Sequence, residues 1–196
     1  MNDVQLLKRY AAGDEGAFQE LVGQYKDSVY AFLRRFLNDR DLVDDVFQDT
    51  FMQLYVSRDT FDQSKPLRPW LFTIAANKAK DALRRKQRAD FTNLGSMFDS
   101  DEHSLEDVLN TLDHDDRMPY DDLIRAETAA QVKRVIARMP ARLREILLLG
   151  YFQKFSYAEI AGILGIPVGT VKSRLHTAVT RFAEDWSLAM MCETAN

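Results

Sequence analysis

Three groups of polar side chains have types and spacings suited to holding other molecules rather than to making or breaking bonds. In SYAEIAGILGIPVGTVKSRLHTAV, residues 156 to 179, Thr170, Lys172, Ser173, His176, Thr177 and Arg181 fall outside the apolar register of Val171, Leu175, Ala178 and Phe182. Donors on one exposed helical face suit duplex DNA, with Lys172 and Arg174 positioned for phosphates and Ser173 and His176 for base edges. A second group, Lys80, Arg84, Arg85, Lys86 and Arg88, crowds the far end of PWLFTIAANKAKDALRRKQR. Five basic residues in nine exceed what a helix dipole calls for and point to nucleic acid. The third group, Asp45, Gln48 and Asp49, sits at i, i+3 and i+4 opposite a buried face, so it forms one polar helical surface.

Catalytic chemistry finds no counterpart in this pattern. His103, His114 and His176 are scattered, and no metal-spaced His/Cys cluster, phosphate loop or nucleophile–base pairing is visible. The expectation is a protein that is not an enzyme, with no metal, no cofactor and no small-molecule substrate.

Helices must position these groups, because every periodic segment is helical and no convincing strand is present. Phe18, Leu21, Val22, Tyr25, Val29, Phe32, Leu33 and Phe36 line one face of a first helix, with Asp14 as N-cap. Leu42, Val46, Phe47, Thr50, Phe51 and Leu54 give a second helix its buried face. Leu71, Ile74, Ala75 and Leu83 do so for a third, and Trp70 reads as core. Further on, Ser156 and Glu159 make a capping box, Gly165 supplies a left-handed stop, and Pro167 suits the first turn of the next helix. Ile160, Ile163 and Leu164 are the apolar face of the helix between them, and the whole predicts a helix-turn-helix.

Charge divides the chain of 196 residues, although its net value is only −4. Lys65 to Asp90 carries eight Lys/Arg against two acids. Phe91 to Leu123 carries ten acids against one arginine, and Arg138 to Phe182 seven basic residues against two acids. Each charge acts over a Debye length of about 8–10 Å, so the local patches matter more than the total. The boundaries expected are therefore a first helical domain over 1–90, an acidic linker over 91–123, a helical domain over 124–185 and a tail over 186–196. The lone Cys192 allows no disulfide framework and favours a reducing, cytoplasmic setting. The N-terminus lacks signal-peptide character and no apolar run approaches the roughly 20 residues of a membrane span, so a soluble protein is expected. Taken alone, the helix-turn-helix also fits a stand-alone regulator that binds operators as a dimer.

Three motifs in order, DDVFQDTF, PWLFTIAANKAKDALRRKQR and SYAEIAGILGIPVGTVKSRL, resemble those of the extracytoplasmic-function (ECF) sigma factors, the promoter-specificity subunits of bacterial RNA polymerase. The resemblance covers roughly residues 1–90 and 124–185 and implies two small all-α domains. It implies that Asp45, Gln48 and Asp49 dock on the clamp helices of the largest polymerase subunit. Asn77, seven residues after Trp70, would help hold a base flipped from the single-stranded −10 element, with Lys80, Arg84, Arg85 and Arg88 on its backbone. Thr170, Lys172, Ser173, Arg174, His176 and Thr177 would face the −35 duplex. His176 and Thr177 depart from the aromatic and arginine found in some members, which leaves the −35 sequence open. The linker would thread towards the RNA exit path. Its 33 residues at about 3.3 Å each reach about 110 Å, beyond the ~70 Å of two DNA turns. An anti-sigma factor is expected as a further partner, and direct membrane insertion is not.

Overall fold

The computed structural model describes residues 3–57, 61–62, 65–93 and 119–193. Most of the predicted linker, together with His103 and His114, lies outside the described residues. Every regular element among the described residues is helical: Asp3–Ala11 (α1), Glu15–Leu37 (α2), Arg40–Val56 (α3), Leu67–Asn93 (α4), Pro119–Arg138 (α5), Ala141–Leu147 (α6), Tyr157–Leu164 (α7) and Val168–Glu193 (α8). A π-helical turn, Leu148–Phe152, continues α6.

α1 to α4 make a first lobe. The carboxylate of Asp14 accepts from the Ala17 N–H at 3.3 Å and starts α2, and an ion pair of 2.8 Å with Arg9 holds that cap against α1. α2 ends at Asn38, whose φ of 54° is left-handed, and Asp39 then caps α3 by accepting from the Leu42 N–H at 3.2 Å. This two-residue turn folds α3 back along α2, so that Leu21, Val29, Phe32, Leu33 and Phe36 meet Val43, Val46 and Leu54 in one core. Truncating a ring buried as fully as Phe36 costs about 3–5 kcal/mol.

α4 departs from the periodicity reading in an instructive way. Ile74 and Leu83, expected in the core, are half-buried, while Phe72, Ala76, Ala79 and Ala82 are buried. The reason is that α4 packs on α2 and α3 and also on α7 of the second lobe. Small side chains let neighbours on more than one side approach its backbone. Trp70 is half-buried against Phe61, ring centroids 4.5 Å apart, at the edge of the core.

The second lobe runs from α5 to α8 around Ile136, Met139, Ile146, Leu148, Leu149, Ile160, Val171, Leu175 and Ala178. The capping box is reciprocal. The Glu159 N–H donates to Ser156 Oγ at 3.3 Å, and the Ser156 N–H donates to the Glu159 carboxylate at 2.8 Å. Gly165 closes α7 at a φ of 65°, and α8 begins at Val168, one residue after Pro167. Gly150 in the π-helical turn lies against α8, where an added Cβ would meet Leu175 Cδ1 at 3.4 Å. α4 runs to Asn93, α5 begins at Pro119 and α8 continues to Glu193. Helix thus extends beyond the limits of 90, 123 and 185 drawn from composition.

Candidate nucleic-acid and protein interface

On α3, Asp45, Gln48 and Asp49 are all exposed, because Val43, Val46 and Thr50 occupy the inward register. Thr50 satisfies its own burial by donating to the Val46 carbonyl at 2.7 Å. The polar face ends in exposed Met52 and Val56. Asn77 is also exposed, on α4, and the next residue, Lys78, reaches back to Asp49 in an ion pair of 3.5 Å. Spacing alone did not single out Lys78, and only the packing of α3 on α4 brings it to Asp49.

Further along α4, Arg84, Arg85 and Arg88 are exposed, with Arg84 paired to Asp81 at 3.2 Å. Lys86 serves the first lobe instead. Its ammonium meets Asp39 at 2.8 Å and, with the Leu42 and Asp41 backbone bonds, holds that carboxyl below the usual carboxylate range despite partial burial. Lys80 is turned towards the second lobe, where it lies 3.7 Å from Glu145.

On α8, Lys172, Ser173, His176 and Thr177 are exposed, and Thr170 and Arg174 are half-buried. The two hydroxyls are partly committed. Ser173 donates to the Thr170 carbonyl at 3.1 Å and Thr177 to the Ser173 carbonyl at 3.0 Å. Their oxygens remain acceptors, which fits amino groups of adenine or cytosine better than base acceptors. The positive charge of Arg174 acts on Glu145.

The lobes meet through groups that the sequence reading did not assign. Arg144 donates to the Phe36 carbonyl at 2.6 Å and to the Met139 carbonyl at 2.9 Å, supplying partners at the ends of α2 and α5. Arg68 donates to the Gln153 carbonyl at 2.7 Å and lies over the ring of Phe155 at 4.2 Å. Gln153 donates in turn to the Ser28 carbonyl at 3.3 Å, and Phe155 stands edge-on to Phe72 at 5.1 Å. The left-handed Lys154 shapes this segment after the π-helical turn. Sequence spacing carries no signal for it, since the partners come from opposite halves of the chain.

Among the described residues no group of three or more His, Cys, Asp or Glu is placed to hold a metal, and no helix is long and apolar enough to cross a membrane.

A helix-turn-helix on one all-α lobe, with a basic helix beside an exposed acidic face on the other, is the arrangement of a DNA-binding protein of transcription. Residues 21–89 match the Sigma-70 region 2 family and residues 129–182 the Sigma-70 region 4 family. The chain is 31% identical to the ECF RNA polymerase sigma factor SigW of Bacillus subtilis, over 87% of this chain and 89% of that one. It is 33% identical to the RNA polymerase sigma-H factor of Pseudomonas aeruginosa, over 90% and 89%. Among solved structures, the sigma factor RpoE of Bartonella quintana in complex with the anti-sigma factor NepR superposes with a TM-score of 0.68. It has 26% identity over 87% of this chain and 96% of that one. CnrH in complex with the cytosolic domain of CnrY gives 0.66 at 26% identity, over 93% and 95%. The chain belongs to the ECF sigma factors, and it directs promoter-specific transcription initiation by bacterial RNA polymerase.

Proposed function

We propose that the three exposed faces divide the work of initiation: α3 docks on polymerase, α4 captures melted −10 DNA and α8 reads the −35 duplex. Asp45, Gln48 and Asp49 bind the clamp helices of the largest subunit. Asn77 contacts a flipped base, with Lys80, Arg84, Arg85 and Arg88 along the strand backbone. Thr170, Lys172, Ser173, Arg174, His176 and Thr177 face the −35 element, Lys172 and Arg174 through phosphates. The working units are residues 1–90 and 124–185, joined by the acidic segment 91–123. The protein acts by delivery in the cytoplasm and makes no bond itself. The observation that carries this reading is that Asp45, Gln48 and Asp49 share an exposed stripe beside exposed Asn77, on helices tied by the Asp49–Lys78 pair. An operator-binding dimer would have no use for that stripe.

An anti-sigma factor belongs in the same proposal, supported by the two structural relatives, one in complex with the anti-sigma factor NepR and the other with CnrY.

The test is run-off transcription with bacterial core polymerase. Asn77→Ala should lower promoter opening, read by permanganate reactivity at the −10 element, at least tenfold while core binding stays within twofold, roughly the scale of losing one specific base contact. Asp45→Ala with Asp49→Ala should do the reverse and weaken core binding first. Duplex binding unaffected by either change, with no polymerase-dependent start sites, would defeat the assignment.

A further inference from the structure

α3 carries more exposed surface than the polar stripe given to polymerase. From Asp45, the residues at i+4, i+7 and i+11 are Asp49, Met52 and Val56, so they fall along one side of the helix with Gln48 beside them. The stripe is polar over its first turns and apolar over its last. Met52 is 54% exposed and Val56 67%, and neither serves the core, because Val43, Val46, Thr50 and Leu54 already supply the buried side of α3. Single exposed apolar residues are ordinary on a protein surface. Here they form a cluster, since Tyr55 lies next to Val56 at 48% exposure.

Tyr55 is held in place from behind. Tyr10 of α1 donates its hydroxyl to the Tyr55 carbonyl at 2.9 Å, and the Tyr55 ring stands edge-on to Phe18 of α2 at 5.4 Å. A partner meeting this patch therefore has little backbone to order. At 1.5 Å per residue the stripe from Asp45 to Val56 is about 16 Å long, and Met52 lies roughly 10 Å beyond Asp45.

We infer that Met52 and Val56 are a second anchor for polymerase, continuous with the acidic one: the clamp helices set cations against Asp45 and Asp49 and, about two turns further along, an apolar side chain between Met52 and Val56. This rests on the docking role proposed for Asp45, Gln48 and Asp49. Continuity with that stripe selects the occupant, and its carboxylates disfavour nucleic acid on the same surface. The acidic end steers the encounter and is screened by salt, whereas the apolar end adds affinity by burial, which screening does not weaken. Because the two ends differ in chemistry, a helix can lie along the stripe in one direction only, so the second anchor also fixes the orientation of docking.

The test titrates the labelled full chain with bacterial core polymerase across a salt series. Met52→Ala with Val56→Ala should weaken core binding roughly tenfold, by the same factor at every salt concentration. Asp45→Ala with Asp49→Ala should weaken it most at low salt, with the loss fading as salt rises. Met52→Leu keeps the apolar volume and should stay within about twofold of the wild type, while Met52→Gln should lose roughly fivefold. A merely structural role would not produce that split, and the melting temperature of the apolar variants should match the wild type because neither side chain is in the core. A folded Met52→Ala, Val56→Ala chain that binds core as the wild type does, while the aspartate variant is weakened, would overturn the second anchor and leave the acidic stripe standing. Loss in neither variant would bring down the stripe and the anchor together. A wild-type chain that sediments as a dimer, returned to monomer by the two apolar changes with core binding unaltered, would overturn the proposal by giving the patch to a second copy of this chain.

Discussion

At the scale of single residues, the face of α8 proposed to meet duplex DNA carries two kinds of side chain, a cation that would position the protein and hydroxyls that would read sequence. Lys172 is exposed and offers only a charge, so Lys172→Ala should weaken duplex binding about equally for all sequences and flatten the salt slope by about 1. Thr177 already donates its hydroxyl hydrogen to the Ser173 carbonyl. Thr177→Ala should therefore change affinity less than about threefold unless the base opposite presents an amino group. Binding of a panel of duplexes across a salt series checks both. The exposed face was legible in the sequence because helical period alone decides which side chains of α8 and α3 point outward. Glu145 was not. In RLREILLLGY it reads as an ordinary polar position, and its meaning comes from Lys80, 65 positions earlier in the chain.

At the scale of elements, the helix-turn-helix depends on two local devices that the sequence announced in full. Ser156→Ala removes the acceptor for the Glu159 N–H and should cost about 1 kcal/mol, read as a lower melting temperature. Hydrogen bonds from Ser156 hold the Glu159 carboxyl below its usual range. A depressed carboxyl contributes stability that is present above its unfolded pKa of about 4.3 and lost as pH falls through the folded value. Melting the wild type and Ser156→Ala from pH 7 down to pH 3 should show the gap between them narrowing in that window. Gly165 supplies the second device. An added Cβ would meet nothing within 4 Å, so Gly165→Ala tests the left-handed backbone alone and should cost about 1 kcal/mol, with Gly165→Asn costing less. What the sequence concealed at this scale is the Phe72, Ala76 and Ala79 side of α4. Its burial depends on a second lobe, and periodicity records that a residue is apolar without recording which neighbour covers it.

At the scale of the whole molecule, the two lobes share enough contact to unfold together. Phe72 stands against both Phe32 of its own lobe and Phe155 of the other, so its ring belongs to two cores at once. Arg68 adds a hydrogen bond to the Gln153 carbonyl and a cation over the Phe155 ring, a placement worth about 1–2 kcal/mol when desolvated. Coupling of a few kcal/mol between two lobes of this size merges their melting into one transition. Calorimetry of the wild-type chain should accordingly give a single endotherm whose van't Hoff and calorimetric enthalpies agree. Arg68→Ala should split it, because each lobe keeps its own buried aliphatic core while the link between them weakens. Two endotherms in the wild type would mean that the lobes are independent even when they touch. A single endotherm that survives Arg68→Ala would move the coupling onto the Phe72–Phe155 contact, where Phe155→Ala is the next variant to melt.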